Sequence, residues 1–191
     1  WNFGTSAAPI YSMDSWDGYP AQRKRVIDFI KSQKLNNIVV LTGDVHASWA
    51  NNLLVDFDNP KSDIFGVEFV GTSITSGGNG ADKRADTDKI LSNNPHIKFF
   101  NDYRGYVRCT VTPEEWRTDY RVVPYVTEPG AAISTRASYV YHKDYTGLKR
   151  TASNIVPGGV KKSNEVEEDR FLAHTRAHQK QVKQKEKKVT Q

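Results

Sequence analysis

The stretch Asn37-Ile38-Val39-Val40-Leu41-Thr42-Gly43-Asp44-Val45-His46 ends an apolar run on a glycine, then sets a carboxylate and an imidazole two residues apart. Asp44 offers hard oxygens, and His46 offers a neutral nitrogen suited to iron or zinc. Gly43 lets the backbone turn sharply or approach a bound ion closely. The pair fits two ligands of a metal-assisted hydrolase. It also fits a plainer reading, a turn-stabilising Asp beside a hydrogen-bonded His, and these residues alone leave both open.

Other side chains able to do chemistry each carry a similar choice. Asp17 is a third ligand candidate or a residue that introduces a helix. Tyr19 lines a substrate cleft or, with Trp16, packs against the turn. The loop Thr72-Ser73-Ile74-Thr75-Ser76-Gly77-Gly78 can offer hydroxyl and amide donors to a phosphate, with Ser73 and Ser76 as candidate contacts, or it is a rim loop. It has no Walker pattern and no lysine, which argues against nucleotide hydrolysis of the P-loop kind. Arg104 and His96 either reach a phosphate or belong to the sheet. Ser48 lies two residues after His46 without a nucleophile-elbow pattern, and no Ser-His-Asp arrangement is evident. The single cysteine, Cys109, excludes an internal disulfide and alternates within a strand pattern as a small packing residue.

The elements that must hold these groups follow from periodicity. The β-branched run predicts a buried strand over 38–42, and ligands gather beyond the carboxyl end of such strands. Pro20 suits the first turn of a helix, and Val26, Ile27 and Ile30 recur at helical spacing, so a helix is expected from Pro20 to about Lys34. An imperfect alternation over 49–57 reads as a strand, ended by the turn Asp58-Asn59-Pro60. Further strands are expected over 67–70, 97–100, 106–111, 119–123 and 134–141, with Pro113-Glu114-Glu115-Trp116 as a turn, and a helix is expected over 81–91. Few helices and many strands predict an α/β architecture.

A set of motifs makes this pattern more specific. Trp16-Asp17-Gly18-Tyr19 followed by Pro20-Ala21-Gln22-Arg23, then a helix, a strand and Gly43-Asp44-Val45-His46, resembles the PhoD-type metallophosphoesterases, the alkaline phosphatase D family. Gly66-Val67-Glu68-Phe69-Val70-Gly71-Thr72-Ser73-Ile74-Thr75-Ser76-Gly77-Gly78 is similar to that family's Ser/Gly loop. Asn94-Pro95-His96-Ile97-Lys98-Phe99 and Arg104-Gly105-Tyr106-Val107-Arg108-Cys109 are similar to its closing strands. The resemblance covers residues 1–145.

It implies part of a layered metallophosphoesterase β-sandwich flanked by helices, with the amino-terminal half missing. The chain is therefore expected to be the carboxyl-terminal portion of a larger enzyme, whose absent half would hold the other metal ligands, an iron-bound cysteine among them. By resemblance His46 would bind Fe3+ and Asp44 would face Ca2+, where the commoner metallophosphoesterase motif places a second histidine. The implied activity is hydrolysis of phosphate mono- and diesters at alkaline pH by metal-bound hydroxide, with Asp44 and His46 catalytic, Asp17 a further ligand, and Tyr19, Ser73, Ser76 and Arg104 near the substrate. Export in a folded, metallated state, to the periplasm, cell wall or medium, is implied as well. A rival is a non-catalytic structural or binding fragment whose basic tail contacts an anionic partner.

Composition bounds these readings. The 191 residues carry a net charge of +5 and 37% apolar side chains. Residues 175–191 hold six basic side chains and one acid, leaving 21 basic and 21 acidic residues elsewhere. The sequence pI of about 9.2 thus belongs to the tail, and it is no argument for specific nucleic-acid binding. No stretch approaches the roughly 18 apolar residues of a membrane span. Two regions are expected: a phosphatase-like body over 1–148 and a charged linker and basic tail over 149–191. In that tail Asn164 is a candidate cap of a helix that frays toward its end.

Overall fold

The computed structural model describes residues 1–5, 7–144 and 146–151. The tail expectation beyond residue 151 lies outside them. The strand predicted from the β-branched run forms as β1 (Ile38–Thr42), followed by β2 (Ser48–Leu54), β3 (Ile64–Val70) and β4 (Ile97–Asn101). These make one sheet in the order β1-β3-β2-β4. β1 runs parallel to β3, and both neighbours of β2 are antiparallel to it. The second sheet, β5 (Arg104–Val111), β6 (Glu115–Val123), β7 (Ser134–His142) and β8 (Lys149–Arg150), is an antiparallel meander in chain order.

Strand alternation divides the apolar residues between two layers. Ala50, Val67, Phe69 and Phe99 of the first sheet meet Tyr120, Ala137 and Tyr139 of the second in a shared core. Side-chain hydroxyls tie the layers together: Tyr120 Oη donates to the Trp49 carbonyl at 2.5 Å, and Tyr139 Oη to the Lys98 carbonyl at 2.8 Å. The alternate residues Trp49, Val70, Ile97 and Phe100 turn to the outer face of the first sheet, where Ile90, Trp1 and Phe3 pack on them. The result is a mixed α/β architecture of two facing sheets with few helices.

Among the described residues two α-helices lie outside the sheets, α1 (Pro20–Ser32) and α2 (Thr87–Asn93). Pro20 does start α1, and the helix stops just short of Lys34, whose φ of +53° leaves the helical region. Only Ile27 of α1 is fully buried. Between α1 and the outer face of β1 runs a groove of about 570 Å3, bordered by Ile27, Ile30, Val40, Phe57 and Trp49. Its floor holds a polar set, in which the Glu68 carboxylate accepts from Thr42 Oγ1 at 3.0 Å and from Asn51 Nδ2 at 2.8 Å.

Three sequence expectations are corrected. The helix expected over 81–91 is confined to Thr87–Asn93, because its first part is drawn onto the sheets by ion pairs. Asp82 takes Arg136 Nε at 2.6 Å and Nη2 at 2.7 Å, and Arg84 reaches Asp102 at 2.6 Å. The strand expected over 49–57 ends at Leu54, after a register shift at Leu53/Leu54, and turns follow. Glu115 and Trp116 belong to β6 rather than to the preceding turn. Lys149 and Arg150 complete the second sheet by pairing with Val140 and Tyr139.

Candidate functional site

At the carboxyl end of β1 the Thr42 carbonyl still accepts the Gly71 amide at 2.9 Å, which joins this end to the start of the loop after β3. The chain then turns within three residues: the Val45 amide donates to the Gly43 carbonyl at 2.9 Å, and the residue between them, Asp44, has φ of +72°. This combination is the rarer, strained form of the γ-turn. His46 follows at φ +52°. Asp and His are among the non-glycine types that tolerate this region best. Strain at two positions so close together needs support, and it recurs at functional sites. The support lies immediately after, where Ala47, Ser48 and Trp49 are buried as the chain re-enters the sheet.

Asp44 and His46 are exposed, and among the described residues neither side chain takes part in a hydrogen bond or ion pair. Asp44 opens onto the groove beside α1. The His46 ring lies against the Ser/Gly loop, with Nδ1 4.0 Å from where a β-carbon on Gly77 would stand. Gly77, Gly78 and Gly80 of that loop all have positive φ.

Beneath both loops sits Arg104, the first residue of β5, only 2% exposed. Its Nη1 donates to the His46 carbonyl at 2.7 Å, to Ser73 Oγ at 2.8 Å and to the Ser76 carbonyl at 2.9 Å. Its Nη2 holds the Asp102 carbonyl and, at 3.0 Å, the Asp102 carboxylate. Nε is buried without a partner among the described residues. The neighbouring Gly105 amide adds a bond to the Ser73 carbonyl at 3.1 Å.

The sequence candidates thus separate. Asp44 and His46 share one turn. Ser73 Oγ donates to the Ser76 carbonyl at 2.6 Å and accepts from Arg104, so its hydroxyl is used within the loop. Ser76 is exposed. Arg104 does not face the opening: its guanidinium is directed into the protein and engaged by loop carbonyls. Asp17 borders the same groove as Asp44, and its carboxylate accepts from Arg23 Nη1 at 2.5 Å. Tyr19 stands exposed at the start of α1 and does not border the groove. His96 packs edge-on against Phe57 with ring centres 5.2 Å apart. Burial is the main cause that pushes its pKa down to about 4.

No group of three or more His, Cys, Asp or Glu side chains able to hold a metal occurs among the described residues. Asp44 and His46 nevertheless fit a share of a metal centre in donor chemistry. One is an uncommitted carboxylate and the other an uncommitted imidazole, on a turn whose geometry is imposed from below. Sequence reasoning missed the Glu68 set and the role of Arg104. A carboxylate inside the apolar run Val67-Glu68-Phe69 was the available signal for the former. Nothing local signals the latter.

Residues 3–120 match the PhoD-like phosphatase family, and the chain belongs to it. Over 190 residues the chain is 75% identical to alkaline phosphatase D of Bacillus subtilis (strain 168), an alignment that covers 100% of this chain and 33% of that protein. A solved structure described as "Structure of PhoD" is 76% identical, with a TM-score of 0.78, over 97% of this chain and 35% of the other. The chain therefore spans about a third of the length of the relatives it matches.

Proposed function

We propose that this chain is the part of a metal-dependent phosphatase that contributes Asp44 and His46 to the active centre, with the remaining ligands supplied by the part of the enzyme the chain does not include. The observation that carries the reading is the turn after β1. Two exposed, uncommitted side chains of metal-ligating type sit there on strained positions two residues apart, in a chain of the PhoD-like family. The ions are proposed to be Fe3+ at His46 and Ca2+ at Asp44, in line with nitrogen and oxygen preferences. When bound, a pair of cations supplies an activated water and neutralises charge on the phosphoryl oxygens.

The chain's own residues do the rest. Asp44 and His46 hold their ligating atoms outward because the turn fixes both backbones. The exposed Ser76 hydroxyl and the amides around Gly77 and Gly78 offer donors for a phosphoryl oxygen. Substrates are phosphate mono- and diesters, the two facing sheets are read as part of a metallophosphoesterase sandwich, and the working enzyme is placed outside the cytoplasmic membrane. No helix among the described residues is long and apolar enough to cross a membrane. The test is His46→Ala in the full-length protein, measuring phosphate-ester turnover and bound metal. Turnover is expected to fall by orders of magnitude with loss of metal, and an enzyme as active as its parent would remove the reading.

A further inference from the structure

We propose that Arg104 is a positioning residue that sets the ligand turn and the Ser/Gly loop in one fixed relation, rather than a phosphate-binding residue; this rests on the phosphatase reading above. The geometry leaves the guanidinium little else to do. Nη1 carries two hydrogens, yet the His46 carbonyl, Ser73 Oγ and the Ser76 carbonyl all lie within 2.9 Å of it, so at least one hydrogen is shared. Nη2 is held by the carbonyl and carboxylate of Asp102. Both terminal nitrogens are therefore spent on protein oxygens, and the side chain is 2% exposed.

The acceptors come from three separate segments: the turn carrying His46, the loop at Ser73 and Ser76, and the residue leading into β5. Only a rigid, planar, five-donor fork reaches all three, which a lysine ammonium does not reproduce. The surrounding glycines agree with this. A β-carbon on Gly77 would stand 3.4 Å from Nη1, and one on Gly80 would stand 2.7 Å from Nη2. The loop backbone has come as close to the guanidinium as a chain without side chains permits. With the His46 carbonyl anchored inward at φ +52°, its imidazole is held outward. Arg104 thus acts on the centre through the backbone of a ligand and the backbone of the loop that faces the phosphoryl group.

The experiment uses the full-length protein with Arg104→Ala and Arg104→Lys, alongside His46→Ala. Steady-state kinetics on a phosphate ester, inhibition by inorganic phosphate, bound metal and thermal unfolding are measured for each. Both Arg104 variants are expected to lose about 10- to 100-fold in kcat or metal affinity, the range of residues that orient a ligand. KM and the phosphate inhibition constant should stay within about threefold, since no uniform substrate contact is removed. Millimolar guanidinium should restore part of the kcat of Arg104→Ala and none of that of His46→Ala. Should Arg104→Ala fail to fold, Arg104→Lys carries the same comparison.

The proposal is overturned by unchanged kcat and metal affinity in the folded Arg104 variants. It is equally overturned by a tenfold rise in KM and in the phosphate inhibition constant at constant kcat, which would mark a direct phosphate contact. Full activity in His46→Ala would instead remove the phosphatase reading on which the proposal stands.

Discussion

Gly80 and Gly78 allow the packing of the Ser/Gly loop to be measured apart from its conformation. Both have left-handed backbones, φ +69° and +71°, so an alanine at either position carries a similar conformational cost of about 1 kcal/mol. Their surroundings differ. A β-carbon on Gly78 meets nothing within 4 Å, whereas one on Gly80 would stand 1.8 Å from the Asp102 carbonyl oxygen and 2.7 Å from Arg104 Nη2. Ordinary contact requires a retreat of roughly 1.5 Å by backbone atoms. That retreat pulls on the bond from the Asp102 amide to the Ala81 carbonyl, 3.0 Å, and on the bond from the Val126 amide to Asn79 Oδ1, 2.8 Å.

Losing two such bonds costs about 1–3 kcal/mol. Gly80→Ala is therefore expected to destabilise the protein by about 2–4 kcal/mol, and Gly78→Ala by about 1 kcal/mol. Equilibrium denaturation of the parent and both variants gives the comparison directly. Because the displaced atoms include those that seat Arg104, the proposed function predicts that, in the full-length protein, Gly80→Ala lowers phosphate-ester turnover more than Gly78→Ala does. Equal stability of the two variants would refute the reasoning, since the backbone term is shared and only the contact differs.

Two further outcomes are expected. The neutral form of His96 is favoured in the folded protein, with a pKa of about 4 against an ordinary 6.5, so its contribution is complete above pH 6.5 and is lost as pH falls toward 4. His96→Gln should flatten the stability–pH curve within that window, and an unchanged slope would show that other groups set it. Tyr120→Phe removes the 2.5 Å bond to the Trp49 carbonyl at a fully buried site between the sheets. The expected loss is about 1–2 kcal/mol in denaturant unfolding, and a variant as stable as its parent would mean the bond contributes nothing net.

The parts of this protein that were legible in its sequence are those whose determinants are local. Ile38 to Thr42 announces a strand by β-branching, Gly43 announces its end, and Asp44 and His46 follow within one turn. Pro20 marks the start of α1, and strands β4 to β7 show their alternation directly. The segment before α2 was misread because Asp82 and Arg84 have helix-compatible neighbours, while their actual partners, Arg136 and Asp102, lie far along the chain. The surroundings of Arg104 were illegible for the same reason. Its acceptors at His46 and Ser73 are 58 and 31 residues away, and a buried arginine bonded to carbonyls has no periodic signature. Asp17 bonds Arg23 six residues further on, and a carboxylate read in sequence does not tell that partner from a cation.

The two sheets also differ in how their strands are joined. Every pairing in the second sheet links strands adjacent in sequence, and the β5–β6 connection is a tight turn closed by the Thr112 amide on the Glu115 carbonyl. In the first sheet β1 pairs with β3 across the whole of β2, and β4 returns to β2 after β3 and α2 have intervened. Loop closure grows costlier with intervening length, and non-local pairing slows assembly. The meander can therefore form early and offer Tyr120, Ala137 and Tyr139 as a surface on which the first sheet condenses. The turn carrying Asp44 and His46, at the end of an edge strand held by one non-local partner, belongs to the half whose pairings close the longer loops. The turn is then expected to settle late in folding, when Arg104, the first residue of the meander, meets the His46 carbonyl and Ser73.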